Sequence, residues 1–481
     1  MSAGEVLNIG LTNIVFLAAH VPLGLLFHSS STLAALHAFG TFAVGMYLAI
    51  FDRRLERVAY VGGYIIGAEV LWHMTDAPIF WEFGKYGVSA IFITAIIRNR
   101  LVKAPPLPLF YFLMLLPSVW ITLVQEDWES RSRDFVGGRD MISFNMSGPL
   151  ALVVSAWFLS HLKLSTIRLQ WLFLAILGPI ISISTIVLFG VASSADLDFS
   201  AKSNSAASGN FGPNQVSSIL GLGALLAFLF YILSNRTTQN RNVSISGVLG
   251  WVRRFLMICL MIVFIVQSAL TFSRGGLYNT IVGLVIAYFY LIRESRSRLQ
   301  FIFIALFLIG FSTYVLLPKL NDFTGGAFTS RFESTNATGR EDMIGFQLAV
   351  FRSHILFGNG PGRGSFFSSH TEYSRLLADH GLLGIFALLA LFIIVVLNIT
   401  RARTVMKKAV VASLLAWSFV FMAHLGMRLA APSFIIGMTF VTLVFQENKI
   451  SKAIRKRVSK KTADTNIPLP VFVSAKSVES P

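Results

Sequence analysis

The chain has 481 residues, of which 54% are hydrophobic and only 13% charged, with a mean hydropathy of +0.68 and a net charge of +17. Soluble domains carry about a quarter charged residues, so this composition excludes a water-soluble globular domain. The basic excess does not indicate nucleic acid, because no DNA- or RNA-binding module is visible and in a membrane protein such an excess records topology.

Apolar runs of bilayer length recur from Leu7 to Phe445. A spanning helix needs about 20 residues. In lipid the backbone must satisfy its own hydrogen bonds, so these runs predict helices, and the alternation of a membrane barrel is absent. Spans are expected near 7–27, 33–51, 58–73, 79–97, 107–124, 142–161, 170–191, 213–233, 255–272, 276–292, 299–317, 382–399, 409–427 and 432–446. Glu82 and Lys85 interrupt the fourth, and the last two are short. The expected fold is all-α: a polytopic membrane protein of 12–14 transmembrane helices. Residues 1–317 carry eleven spans, 318–381 form one long, partly helical loop, 382–446 hold the last spans, and 447–481 form a basic tail. Met1 to Asn8 lack the basic region and cleavage site of a secretory signal, so the first run is expected to stay in the membrane.

Basic residues set the orientation. With the N-terminus in the cytoplasm, the cytoplasmic segments hold 27 of the 40 Lys and Arg. Glu126, Asp127, Glu129, Asp134 and Asp140 fall in an external loop. Both termini are then cytoplasmic and loop 318–381 is external. The tail reads as an arm on the anionic inner leaflet, where each basic residue contributes about 1 kcal/mol.

Loop 318–381 carries structure signals. Thr338 with Glu341 reads as a capping box opening a helix through about Phe357. Its apolar Met343, Phe346, Val350 and Phe351 suit a helix on the membrane surface. A glycine-rich turn covers 358–364. Ser369 with Glu372 reads as a second capping box, starting a helix that stops at Gly381.

An ionisable group at a membrane boundary is a functional candidate. Arg274 stands in a tight turn between two spans, beside Gly275 and Gly276, where the plain alternative is a snorkelling arginine. Arg340 occupies the positive end of the expected surface helix, a placement that a bound phosphate would offset. His370 can take a proton near neutral pH. Glu372 either supports it or only caps its helix. Arg363 lies in the glycine-rich turn, which lacks the pattern of a Walker loop or a dinucleotide fingerprint but suits a backbone nest for an anion. Glu69 and His73 share one face of the third span and would pair or line a cavity. His20 and His424 read as packing histidines. Cys259 is the only cysteine, and no cluster has metal-ligand spacing, so chemistry without a metal or cofactor is expected.

From about Gly209 to Gly384 the chain resembles the superfamily of O-antigen ligases and O-antigen polymerases, membrane glycosyltransferases of the bacterial envelope. The resemblance rests on Phe211–Asn214, Ser273–Gly276, Gly339–Arg340, Gly358–Phe366 and His370–Gly384. It implies the lipid-dependent multi-span glycosyltransferase fold in the bacterial inner membrane. It also implies transfer of a glycan from an undecaprenyl-pyrophosphate carrier to a hydroxyl acceptor, a glycan or a lipid, at the periplasmic face. The family's two essential arginines and loop histidine carry over to Arg274, Arg340 and His370. On that basis Arg274 and Arg340 are expected to hold the pyrophosphate, with Arg363 and Glu372 as further substrate contacts. Ligases often carry asparagine after that histidine; Thr371 stands here, which leaves ligase and polymerase both open. The alternative from another class is a transporter or flippase of lipid-linked glycans, which favours inverted repeats and deep charges.

Overall fold

The computed structural model describes residues 3–124, 138–193, 203–238, 246–293, 312–333, 340–363 and 371–445, with isolated positions between 298 and 310. The helices are α1 (Ala3–Ser29), α2 (Ser31–Phe51), α3 (Leu55–Met74), α4 (Phe83–Arg98), α5 (Pro106–Val124), α6 (Gly138–Ser160), α7 (Thr166–Ser193), α8 (Pro213–Thr238), α9 (Ser246–Leu270) and α10 (Arg274–Leu291). They continue as α11 (Leu317–Phe323), α12 (Ala327–Glu333), α13 (Arg340–Ser353), α14 (Glu372–Arg401), α15 (Val405–Leu425) and α16 (Ala430–Met438). Two three-residue strands, β1 (Lys163–Ser165) and β2 (Thr442–Val444), pair with each other.

Among the described residues, nine helices are long and apolar enough to cross a membrane: α1, α2, α5 to α9, α14 and α15. Large apolar side chains such as Leu36, Tyr47, Trp120 and Phe392 face outward on them. In water that would be a liability; against lipid it is the expected surface. Inside, α3 is buried along most of its length. Its Tyr64 hydroxyl lies 3.0 Å from both His20 Nε2 and His37 Nε2, and the Trp72 indole donates to His37 Nδ1 at 3.0 Å. His20 Nδ1 also meets the Phe16 carbonyl at 2.7 Å. His20 is thus a packing residue with both ring nitrogens engaged, joining α1, α2 and α3.

The chain departs from its expected elements in three places. The last expected span, 432–446, is only a nine-residue helix, α16, followed by β2. Nine residues advance about 13.5 Å, less than half of the ~30 Å hydrocarbon core. Every residue of α16 is buried in protein, the condition under which broken backbone is tolerated at membrane depth. Of span 299–317 only isolated positions and a π-helical turn, Ser312–Leu316, are described, and the helical path runs on into α11. Loop 318–381 holds α11 and α12 besides the two helices its capping signals announce, because Pro318 sits at a helix start rather than ending one. Val444–Pro481 forms a separate unit, of which only Val444 and Phe445 are described. The basic tail lies outside the described residues.

Helix α14 breaks at Gly381, with φ 61° and ψ −136°. Its first half ends there and its apolar half continues. A Cβ at this position would lie 2.4 Å from the Ile355 carbonyl oxygen and 2.6 Å from the Gly358 nitrogen. Gly381→Ala therefore meets both a forbidden backbone region and a backbone clash. The expected result is a loss of about 2 kcal/mol or more, read as a lower unfolding midpoint in detergent; an unchanged midpoint would remove the break from the fold's requirements.

Candidate active site

Most sequence candidates gather at one end of the bundle, where α3, α5, α7, α9 and α15 finish and α4, α6, α8, α10 and α14 begin. The turn before α10 is built from two separated motifs. Ser273 caps α10 by accepting from Gly276 N–H at 3.4 Å, and its hydroxyl donates to Asn214 Oδ1 at 2.7 Å. The Phe211–Asn214 segment and the Ser273–Gly276 turn thus form one unit. The glycines allow close packing: a Cβ on Gly275 would lie 2.3 Å from the His424 ring, and one on Gly276 2.1 Å from Ser217 Oγ. His424 is itself engaged, with Val420 O at 2.8 Å and Ser218 Oγ at 3.2 Å. Phe272, buried and just before the turn, has φ 57°. A bulky residue there costs about 1–3 kcal/mol and is found mainly where function demands it. Its carbonyl accepts from Arg331 Nε at 3.3 Å. Arg274 opens α10 and is half-buried.

The second unit is the glycine-rich turn clasped on α14. Asn359 N–H donates to Ala378 O at 2.9 Å, Gly360 N–H to Asp379 O at 3.0 Å and Gly362 N–H to Asp379 Oδ2 at 3.2 Å. Leu382 N–H returns to Ile355 O at 2.7 Å. The N–H groups of the turn are thus spent on α14: Asn359 and Gly360 donate to its carbonyls, and Gly362 donates to the Asp379 carboxylate. Arg363 ends this clasp, half-buried. Burial disfavours its charged form and lowers its pKa.

Glu372 is not the third residue of a capping box. The first helical residue of α14 is Glu372 itself, the N-cap is Thr371, and Thr371 makes no side-chain cap bond. The Glu372 carboxylate instead pairs with Arg375, through a short contact to Nη2 and a 3.3 Å contact from Nε, and accepts Met427 N–H at 3.1 Å. Arg375 Nη1 reaches Asp379 Oδ2 and Asn145 Oδ1, each at 3.1 Å. Next to them His380 Nδ1 makes a short contact with Ser118 Oγ on α5. The void lined by Glu372, Arg375, Asn145, Phe144 and Arg428 is about 20 Å³, room for roughly one water. Among the described residues Glu372 is held by Arg375 and by Met427 N–H, which tie the start of α14 to the end of α15.

Sequence reasoning missed this cluster. Arg375, Asp379, Lys85 and Arg428 were not singled out as one group, although four ionisable residues within nine positions at one apolar helix start (Glu372, Arg375, Asp379, His380) are a visible signal. Glu69 and His73 do not act together. Glu69 Oε2 accepts Ala430 N–H at 2.7 Å, while His73 stacks on Trp81 at 4.4 Å and on Phe211 at 5.9 Å. Lys85 is fully buried, with its ammonium 5.3 Å from the centre of the Phe144 ring.

The end of α15 links the two units. His424 touches Gly275 beside Arg274. Two residues on, Gly426 (φ 62°) lies so that its Cβ would be 3.0 Å from Glu372 Oε2. Helix α13, which Arg340 opens, docks on the same part of α14 through Gln347 Oε1, accepting from Ser374 Oγ at 2.5 Å. The buried residue on this helix is Gln347, while Phe346 is exposed. The Arg274 turn, the Arg363 turn, Glu372 and the helix led by Arg340 are therefore neighbours. His370 and the side chain of Arg340 lie outside the described residues, as does the capping residue Ser369. No family model, curated protein or solved structure matches this chain.

Proposed function

We propose that this chain is a membrane glycosyltransferase that moves a glycan from an undecaprenyl-pyrophosphate carrier to a hydroxyl acceptor at the external face. The carrying observation is the meeting of the Ser273–Gly276 turn, the glycine-rich turn, the middle of α13 and the start of α14 at one bundle end, although they come from distant parts of the chain. These are the segments on which the resemblance to O-antigen ligases and polymerases rests. In this reading Arg274 and Arg340 hold the diphosphate, each able to offer a planar fork to two oxygens. They stabilise the charge that grows as the glycan leaves. His370 takes the proton of the attacking hydroxyl. The acceptor oxygen bonds to the anomeric carbon, the bond from that carbon to the carrier phosphate breaks, and the carrier departs as undecaprenyl pyrophosphate. Asp379, Arg375 and Glu372 position the loop that carries His370, and Arg363 is a peripheral phosphate contact. The protein resides in the bacterial inner membrane, with both termini cytoplasmic.

One observation favours the transporter reading. Glu69, Lys85, Glu372, Arg375 and Asp379 are ionisable groups buried within helices of the bundle, and buried ionisable groups in spans are common on ion and proton paths. Their placement argues against it: Glu69 is about 7.5 Å from the end of α3 and Lys85 about 3 Å from the start of α4, at 1.5 Å per residue. All therefore sit near one end of the bundle rather than along a path through it. Purified protein in detergent, given lipid-linked glycan and acceptor, separates the two. Transfer without a sealed bilayer is the expected result; protein that is inert there but moves the lipid across vesicles would establish the transporter.

A further inference from the structure

A second cavity lies at the opposite end of the bundle, where α2, α4, α6 and α14 finish. That end is tied together by Arg98 Nε donating to Ile50 O at 3.2 Å and by Thr442 N–H donating to Leu162 O at 3.0 Å. The cavity measures about 440 Å³ and lies between the segment leading into α5, the end of α14, the first turn of α15 and the chain entering β2. Among the described residues that line it, Lys103, Arg401 and Lys407 are basic and none is acidic. Among the described residues none of these three forms an ion pair, all four recorded pairs lying elsewhere.

We propose that this cavity binds the phosphate headgroup of an anionic phospholipid from the adjoining leaflet. Three positive side chains round one hollow make it electropositive, which favours a bound anion. Lys407 makes the point locally. It stands in the first turn of α15, where Thr404 Oγ1 caps its N–H at 3.3 Å. A helix start carries partial positive charge, which disfavours a cation and favours a bound phosphate.

The floor is polar, Asn398 Nδ2 donating to Thr439 Oγ1 at 2.8 Å, whereas Val411 gives one wall apolar character. The cavity's place at the helix ends suits headgroup depth. Lys103 follows the end of α4, where the Trp157 indole donates to Leu101 O at 2.7 Å, and tryptophan favours the membrane interface. Basic hollows between spans on the cytoplasmic side are where anionic headgroups bind, and the volume falls in the ordinary range for a small ligand. The apolar wall and the interfacial depth select a lipid over soluble phosphate. The site is far from Arg274 and does not depend on the transferase reading.

The test uses the full-length protein in detergent, with phosphatidylglycerol, phosphatidylcholine and inorganic phosphate as probes. Phosphatidylglycerol is expected to raise the thermal midpoint by several degrees, and phosphatidylcholine is not. Lys103→Gln/Arg401→Gln/Lys407→Gln should lose that gain, while Arg401→Lys/Lys407→Arg, which keeps the charge, should retain most of it. Equal responses to the two lipids, or a gain that survives the triple substitution, would overturn the proposal. Inorganic phosphate alone reproducing the full gain would overturn the lipid assignment in favour of a soluble anion. Should the triple variant fail to fold, native mass spectrometry of the wild-type protein decides: preferential retention of phosphatidylglycerol supports the site, and indifferent retention of both lipids ends it.

Discussion

His370→Ala protein is expected to reach the membrane at wild-type level and to lose glycan transfer by about 10²–10⁴-fold, the usual contribution of a positioned acid or base. The histidine lies two residues before Glu372, which is anchored by Arg375 and by Met427 N–H, so the loop has a fixed point next to the proposed proton acceptor. A companion variant, Arg274→Lys, keeps the positive charge at the head of α10 but loses the two-pronged donor. If Arg274 grips a diphosphate, transfer should fall by about 10²–10³-fold, as when one donor to developing charge is removed. Transfer by purified protein from lipid-linked donor measures both. Wild-type rates in His370→Ala would remove the proton-transfer role. Wild-type rates in Arg274→Lys would reduce that arginine to an anchor at the membrane boundary.

The largest effect on stability is expected at Arg375. Its guanidinium faces Glu372 and Asp379 and is almost fully buried, as are both carboxylates. Arg375→Met leaves two buried carboxylates without their shared counter-charge. Removing one partner of a buried pair costs about 3–5 kcal/mol. The same change releases Asn145 on α6 and loosens Asp379, which also holds Gly362 of the glycine-rich turn. The variant should therefore be recovered poorly from membranes and unfold at a much lower temperature in detergent. Glu372→Gln/Arg375→Met/Asp379→Asn, which neutralises the whole group, should be less damaged than Arg375→Met alone, because no isolated charge remains inside. An Arg375→Met protein with a wild-type midpoint would show that the network contributes little to the fold.

Several features were legible in the sequence because they depend on local physics. The apolar runs announced α1, α2 and α5 to α8 within about five residues at each end, since in lipid a run of that length has only the helix open to it. The stop at Gly381 was legible because a glycine after an apolar-polar helical stretch is the residue that tolerates positive φ. His20 and His424 were read as packing histidines, and each ring is engaged on both nitrogens. The capping reading of Glu372 missed because the same residue type can close a helix start or hold a distant arginine; only the approach of Arg375 and the α15–α16 connection selects the second. Residues 432–446 were read as a span because hydropathy measures burial, and α16 is buried, but in protein rather than in lipid.

By itself, then, the sequence determined that the chain is helical, which segments avoid water, and which basic residues stand at the ends of apolar runs. Those properties follow from hydrophobicity and from charge kept out of hydrocarbon, and both act residue by residue. The tertiary structure alone decided which motifs share a place: that Asn214 joins Ser273, that Asp379 fills the glycine-rich turn, and that Glu372 answers Arg375. Contacts between residues far apart in the chain depend on how whole helices pack, and a one-dimensional pattern does not contain that packing.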